Sequence, residues 1–98
     1  MLSQTISKTV KGQITPHFYM YIYMRTNMFK SNVKITGGGY AANGKAINML
    51  LTLDYHIDQG DPVEIDVDGP DEQQVMDVLV DTFSRAGKED WEKVCEAL

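Results

Sequence analysis

Apolar and polar positions change their period several times along the chain, and each change marks an element. Residues 4–10, QTISKTV, alternate loosely with Ile6 and Val10 on one side, which predicts a first strand. At Thr15-Pro16 the pattern turns helical. A Thr side-chain oxygen can accept an N–H of a first turn and Pro suits the first helical position, so a helix is expected from 16 to about 29. Residues 32–36, NVKIT, return to period two with Val33 and Ile35 facing inward. Gly37-Gly38-Gly39 then supplies free φ angles for a hairpin into YAAN. KAINMLLTL, 45–53, reads as a short helix, and PVEIDVD, 62–68, is the clearest strand, with Val63, Ile65 and Val67 opposed to Glu64, Asp66 and Asp68. Gly69-Pro70 ends that strand. Asp71 and Gln74 have the form of a capping box opening a helix from 72 to about 84, with Val75, Val78, Leu79 and Phe83 at core spacing and Gly87 as its stop. In the last stretch, KEDWEKVCEAL, Trp91, Val94, Cys95 and Leu98 recur at helical spacing and predict a short amphipathic helix.

The order is therefore β-α-β-β-α-β-α plus a tail. Strands apolar on one face and polar on the other imply an antiparallel sheet covered by helices on one side only, a two-layer α+β domain over residues 1–87 with a helical extension over 88–98. Ninety-eight residues suit one domain with a modest core. The single cysteine, Cys95, excludes an intramolecular disulfide and fits a reducing compartment. Nine basic residues scattered among fourteen acidic ones, for a net charge of −5, argue against nucleic acid as a partner. The first residues lack the apolar segment of a signal peptide and no stretch approaches a membrane span, so the expected location is the cytoplasm. No metal or cofactor is expected. His56 has no Cys or carboxylate at ligand spacing and reads as a solvated loop residue, and no Lys-Ser/Thr follows the three glycines as a phosphate loop requires.

Four segments, in this order and spacing, carry a resemblance: Gly12-x-Ile14-x opening the first helix, FKSNVKI after it, Asn43-x-Lys45-x-Ile47 before the second, and QGDPVEIDVDGPDEQQ before the third. Over about residues 4–85 the chain resembles the HPr family, the histidine-containing phosphocarriers of the bacterial sugar phosphotransferase system. The resemblance implies an open-faced β-sandwich of four antiparallel strands and three helices, with the tail beyond Gly87 as an addition. It also places Thr15 where the family carries its phosphoacceptor His, His17 where it carries an Arg, and Ala46 where many members carry a regulatory Ser.

Those replacements change the chemistry. An imidazole is nucleophilic near neutral pH and its phosphoramidate passes phosphate on, whereas a Thr hydroxyl needs an activating base and its ester is too stable to donate. Ala46 has no oxygen to modify. The expectation is thus a non-phosphorylatable, non-enzymatic module that binds proteins, phosphotransferase-system or regulatory proteins among them. Two alternatives stand beside it: a carrier with His17 as a relocated acceptor, and a sensor of an anion or small ligand at the N-terminus of the first helix.

At 100° per residue the first helix separates into two sides. Phe18, Ile22, Thr26 and Phe29 form the expected core stripe, while His17, Met20, Tyr21, Met24 and Met28 form an outer side too apolar for water alone. The resemblance makes that outer side, with the second helix, the docking surface: Pro16, His17, Met20, Tyr21, Met24, Asn27, Ala46, Ile47, Asn48 and Leu51. The surface is expected to meet a partner or a second copy of the chain. The competing expectation is that the tail helix, with Trp91 and Leu98, folds back over it.

Overall fold

The computed structural model describes residues 1–6, 16–57, 60–86 and 88–98. Four strands, β1 (Leu2–Ile6), β2 (Asn32–Gly37), β3 (Tyr40–Asn43) and β4 (Val63–Asp68), alternate with four helices, α1 (Pro16–Thr26), α2 (Ile47–Asp54), α3 (Glu72–Ser84) and α4 (Trp91–Glu96). The strands form one antiparallel sheet in the order β1-β4-β2-β3. This is the two-layer α+β arrangement that the strand patterning implied, and the open-faced sandwich that the resemblance implied. Its first strand begins earlier than the alternation suggested, and the expected residues 7–10 lie outside the described ones.

Register explains the two faces. Val33 and Ile35 of β2 pair with Val67 and Ile65 of β4, and Ile35 also pairs with Ala42 of β3, so a continuous apolar surface faces the helices. Lys34, paired with Asp66, and Thr36, paired with Glu64, point the other way with Ser3 and Thr5 of β1. Three helices close the inner face. Leu50 and Leu53 of α2, and Val75, Met76, Leu79 and Phe83 of α3, are buried there. Val78, expected in the core, is only half-buried, and Met76 takes the interior position.

Between β2 and β3 the turn falls on Gly38 (φ +56) and Gly39 (φ +81). At Gly38 a Cβ would lie 1.6 Å from the carbonyl oxygen of His56, so the close approach of the post-α2 turn requires glycine there. His56 itself is exposed and its ring stacks on Tyr40 at 4.8 Å.

The start of α3 differs from the expected capping box. The Asp71 carboxylate makes no bond to its own first turn. It accepts instead from the Lys30 and Ser31 amides, both at 2.9 Å, and from the Ser31 hydroxyl. These donors, the Ser31 hydroxyl first and then the Lys30 amide, hold its pKa below the usual carboxylate value. Asp71 thus ties α3 to the loop between α1 and β2, because the free amides of that loop outcompete the helix's own.

Candidate functional site

Helix α1 organises the site, and its sequence, PHFYMYIYMRT, contains one charged residue. Phe18, Tyr19, Ile22 and Thr26 are buried, an arc turned into the domain's core. At the C-terminal end, Thr26 Oγ1 donates to the Gly44 carbonyl at 2.6 Å, and the Met28 and Phe29 amides turn back to Arg25 and Thr26 three residues earlier. The helix therefore stops short of Phe29, which is half-buried in the turn rather than on the core stripe. On the α2 side, the Tyr19 hydroxyl donates to Asp54 Oδ1 at 3.1 Å, and burial, with the Asp54 charge, pushes the phenol pKa well up. Asn27 Nδ2 donates to the Tyr23 carbonyl at 2.7 Å and reaches the Lys45 carbonyl at 3.4 Å.

The other flank of α1 carries α4. Trp91 is 2 % exposed; its ring meets Phe18 edge-on at 5.1 Å and Tyr21 at 5.2 Å. Its indole N–H donates to the Ala86 carbonyl at 2.9 Å, and Arg85 lies 5.5 Å above the ring. Further along α4, the Cys95 thiol donates to the His17 carbonyl at 3.3 Å. The consequence for Tyr21 is a correction. Expected on the outer side, it is 6 % exposed, because the indole covers it; the Arg25 guanidinium lies 5.9 Å from its ring centre and donates to its hydroxyl at 3.4 Å. The signal was present in the run HFYMYIY, which holds more aromatic area than one core stripe needs.

What remains open is a ridge between α2 and α4. Pro16, Met20 (40 % exposed), Tyr23 (37 % exposed) and Asn27 face solvent, with His17 and Met24 half-buried beside them. From α2, Asn48 is exposed and Ile47 and Leu51 are half-buried. Tyr23, which the face assignment passed over, lies on this ridge. α4 thus covers the Tyr21 edge of the outer side, as the tail expectation had it, and leaves Met20 and its neighbours exposed. Trp91, Val94 and Cys95 turn toward the domain, but Leu98, the fourth member of the tail stripe, lies beyond the helix and is half exposed (51 %).

Ala46 occupies the N-cap of α2 in extended conformation (φ −119, ψ 110), with no side-chain bond to the helix; its carbonyl accepts from Leu50 at 3.0 Å. Thr15, whose capping role was expected, and Gly87, the expected stop of α3, lie outside the described residues. Among the described residues no group of His, Cys, Asp and Glu is arranged to hold a metal ion.

The family model described as "PTS HPr component phosphorylation site" matches residues 22–85, so the chain belongs to the HPr family. Members of this family are phosphocarriers rather than enzymes, and they act with proteins of the phosphotransferase system. They are soluble and cytoplasmic. Among the described residues no helix is long and apolar enough to cross a membrane. A search of curated protein sequences finds no match. Among solved structures, HPr-C-His from Thermoanaerobacter tengcongensis superposes with a TM-score of 0.77 at 22 % identity, covering 92 % of this chain and 99 % of its own. The histidine-containing phosphocarrier protein of mycoplasma gives 0.77 at 19 % identity, covering 91 % and 99 %. The catabolite repression protein Crh of Bacillus subtilis, described as a swapped, intertwined dimer, gives 0.66 at 24 % identity, covering 87 % and 95 %. These likenesses establish the fold.

Proposed function

We propose that this chain is an HPr-family protein that carries no phosphate and serves as a protein-docking module of the phosphotransferase system or its regulation. Two things support the reading: the resemblance sets Thr15 against the family's phosphoacceptor position and Ala46 against its regulatory Ser position, and the ridge between α2 and α4 leaves Met20 and Tyr23 exposed. A hydroxyl and a methyl replace a nitrogen nucleophile and a modifiable oxygen, and the ridge residues Met20, Met24, Ile47 and Leu51 suit an adaptable protein contact. Pairing of two copies belongs to the same reading. The HPr of Thermoanaerobacter tengcongensis and Crh of Bacillus subtilis form dimers in their crystal structures.

The test is phosphotransfer. Purified chain incubated with enzyme I and phosphoenolpyruvate is expected to acquire no acid-labile phosphate. An acid-labile product lost on His17→Ala would overturn the proposal and install His17 as a relocated acceptor.

A further inference from the structure

Helix α4 divides into two parts of different character. Trp91, its first residue, belongs to the core: it is closed in by Phe18 and Tyr21 and hydrogen-bonded to Ala86. Beyond it, burial falls away. Val94 and Cys95 are half-buried, while Glu92, Lys93, Glu96, Ala97 and Leu98 are exposed. Among the described residues, the polar tie between this part and α1 is one contact, from the Cys95 thiol to the His17 carbonyl, and a thiol is a weak donor. The N-cap bond from the Lys93 amide to Asp90 is long, at 3.4 Å. Six residues are too few to hold a helix without a surface to lie on. The segment therefore has a strong anchor at one end and a weak hold along the rest.

The weakly held part lies against the first turn of α1, at His17. On the docking reading above, on which this step rests, His17 is part of the surface a partner needs. We infer that residues 92–98 form an intramolecular cover over the His17 flank of α1, hinged at Trp91 and lifted when a partner docks. Lifting breaks the contacts of Val94 and Cys95 and leaves the indole in place, so the core survives it. With the cover down, the docking surface is the ridge of Pro16 and Met20 with His17 only half exposed; with it raised, the rest of the His17 flank joins the surface.

The chain carries its own reporters. Cys95 is the only cysteine and Trp91 the only tryptophan, so thiol reactivity reads the cover and indole emission reads the hinge. Burial raises the Cys95 pKa, which slows the closed thiol. The experiment measures the rate of N-ethylmaleimide modification of the full chain, alone and with saturating enzyme I as the probe, and repeats both for Val94→Asp. Val94→Asp is expected to speed modification about tenfold while the emission stays that of a buried indole. It is expected to bind enzyme I more tightly than the wild type, and enzyme I is expected to speed modification of the wild type. An unchanged thiol rate in Val94→Asp, or loss of the buried emission with it, overturns the hinged cover. Binding of enzyme I with Cys95 unchanged or protected also overturns it, while leaving the docking reading intact. A freely reactive thiol in Val94→Asp without binding removes the docking reading for this partner, and the cover's role with it.

Discussion

Replacing Trp91 with Ala tests whether the C-terminal helix is part of the domain's core or an ornament on it. A buried Trp side chain removes about 150–250 Å² from water, which at roughly 25 cal/mol per Å² corresponds to about 4–6 kcal/mol. Measured Trp-to-Ala changes in cores run about 3–5 kcal/mol, because the site partly collapses. Here the collapse is easy, since α4 is short and its outer part is wet, so the lower end, about 3 kcal/mol, is expected. That is a large share of the roughly 5–15 kcal/mol available to a domain of this size. At about 4–8 °C per kcal/mol it lowers the melting temperature by about 12–24 °C. Urea unfolding followed by far-ultraviolet circular dichroism measures the change without needing the indole. Trp91→Phe keeps an aromatic ring against Phe18 and Tyr21 but abandons the Ala86 carbonyl, and should lose about 1–2 kcal/mol. A loss below about 1 kcal/mol for the Ala variant would refute the reasoning, for Phe18 and Tyr21 would then be closed without the indole.

Other substitutions separate the remaining contacts. Met24→Glu, on the half-buried edge of the ridge, should weaken binding to enzyme I or self-association while moving the melting temperature by only a few degrees, about 0.5 kcal/mol; a large loss of stability would place Met24 inside the core. Tyr19→Phe removes the bond to Asp54 that links α1 to α2 and should lower stability by about 1 kcal/mol in urea unfolding. Asp71 has a folded-state pKa below its unfolded value, so its contribution is present above about pH 4 and is lost as pH falls through the lower, folded value. Asp71→Asn should therefore melt earlier than the wild type at pH 7, with the gap closing in strong acid; a gap independent of pH would sink that account.

Strand patterning made the sheet legible in advance because its inward residues, Val33, Ile35, Val63, Ile65 and Val67, obey a strict period of two and its outward ones are charged or polar. The α3 start was misread for a local reason. Asp71 and Gln74 fit a capping box by spacing, but spacing cannot reveal that the Lys30 and Ser31 amides, forty residues away in sequence, present better donors. Helix α1 was harder still. Its periodicity placed Phe18 and Ile22 correctly, yet a helix that meets α2 on one flank and α4 on the other buries Tyr19 and Tyr21 as well; the aromatic excess of HFYMYIY signals the extra burial without identifying the second neighbour. Trp91 was the clue to it, since a large aromatic in an otherwise charged tail needs somewhere to go.

The strand order sets a timetable for synthesis. Leu2 finds its partner at Val67 and Ser3 at Asp66, so the first strand emerges from the ribosome with nothing to pair with for some sixty residues. At roughly 5–20 residues per second, that leaves it waiting on the order of 3–12 s. During that interval β2 and β3 can already form their hairpin, and β4, once made, is zipped from both sides at once. The N-terminal edge of the sheet is thus among the last parts of the nascent protein to be closed, and a chaperone that shields exposed strands would have its longest opportunity there.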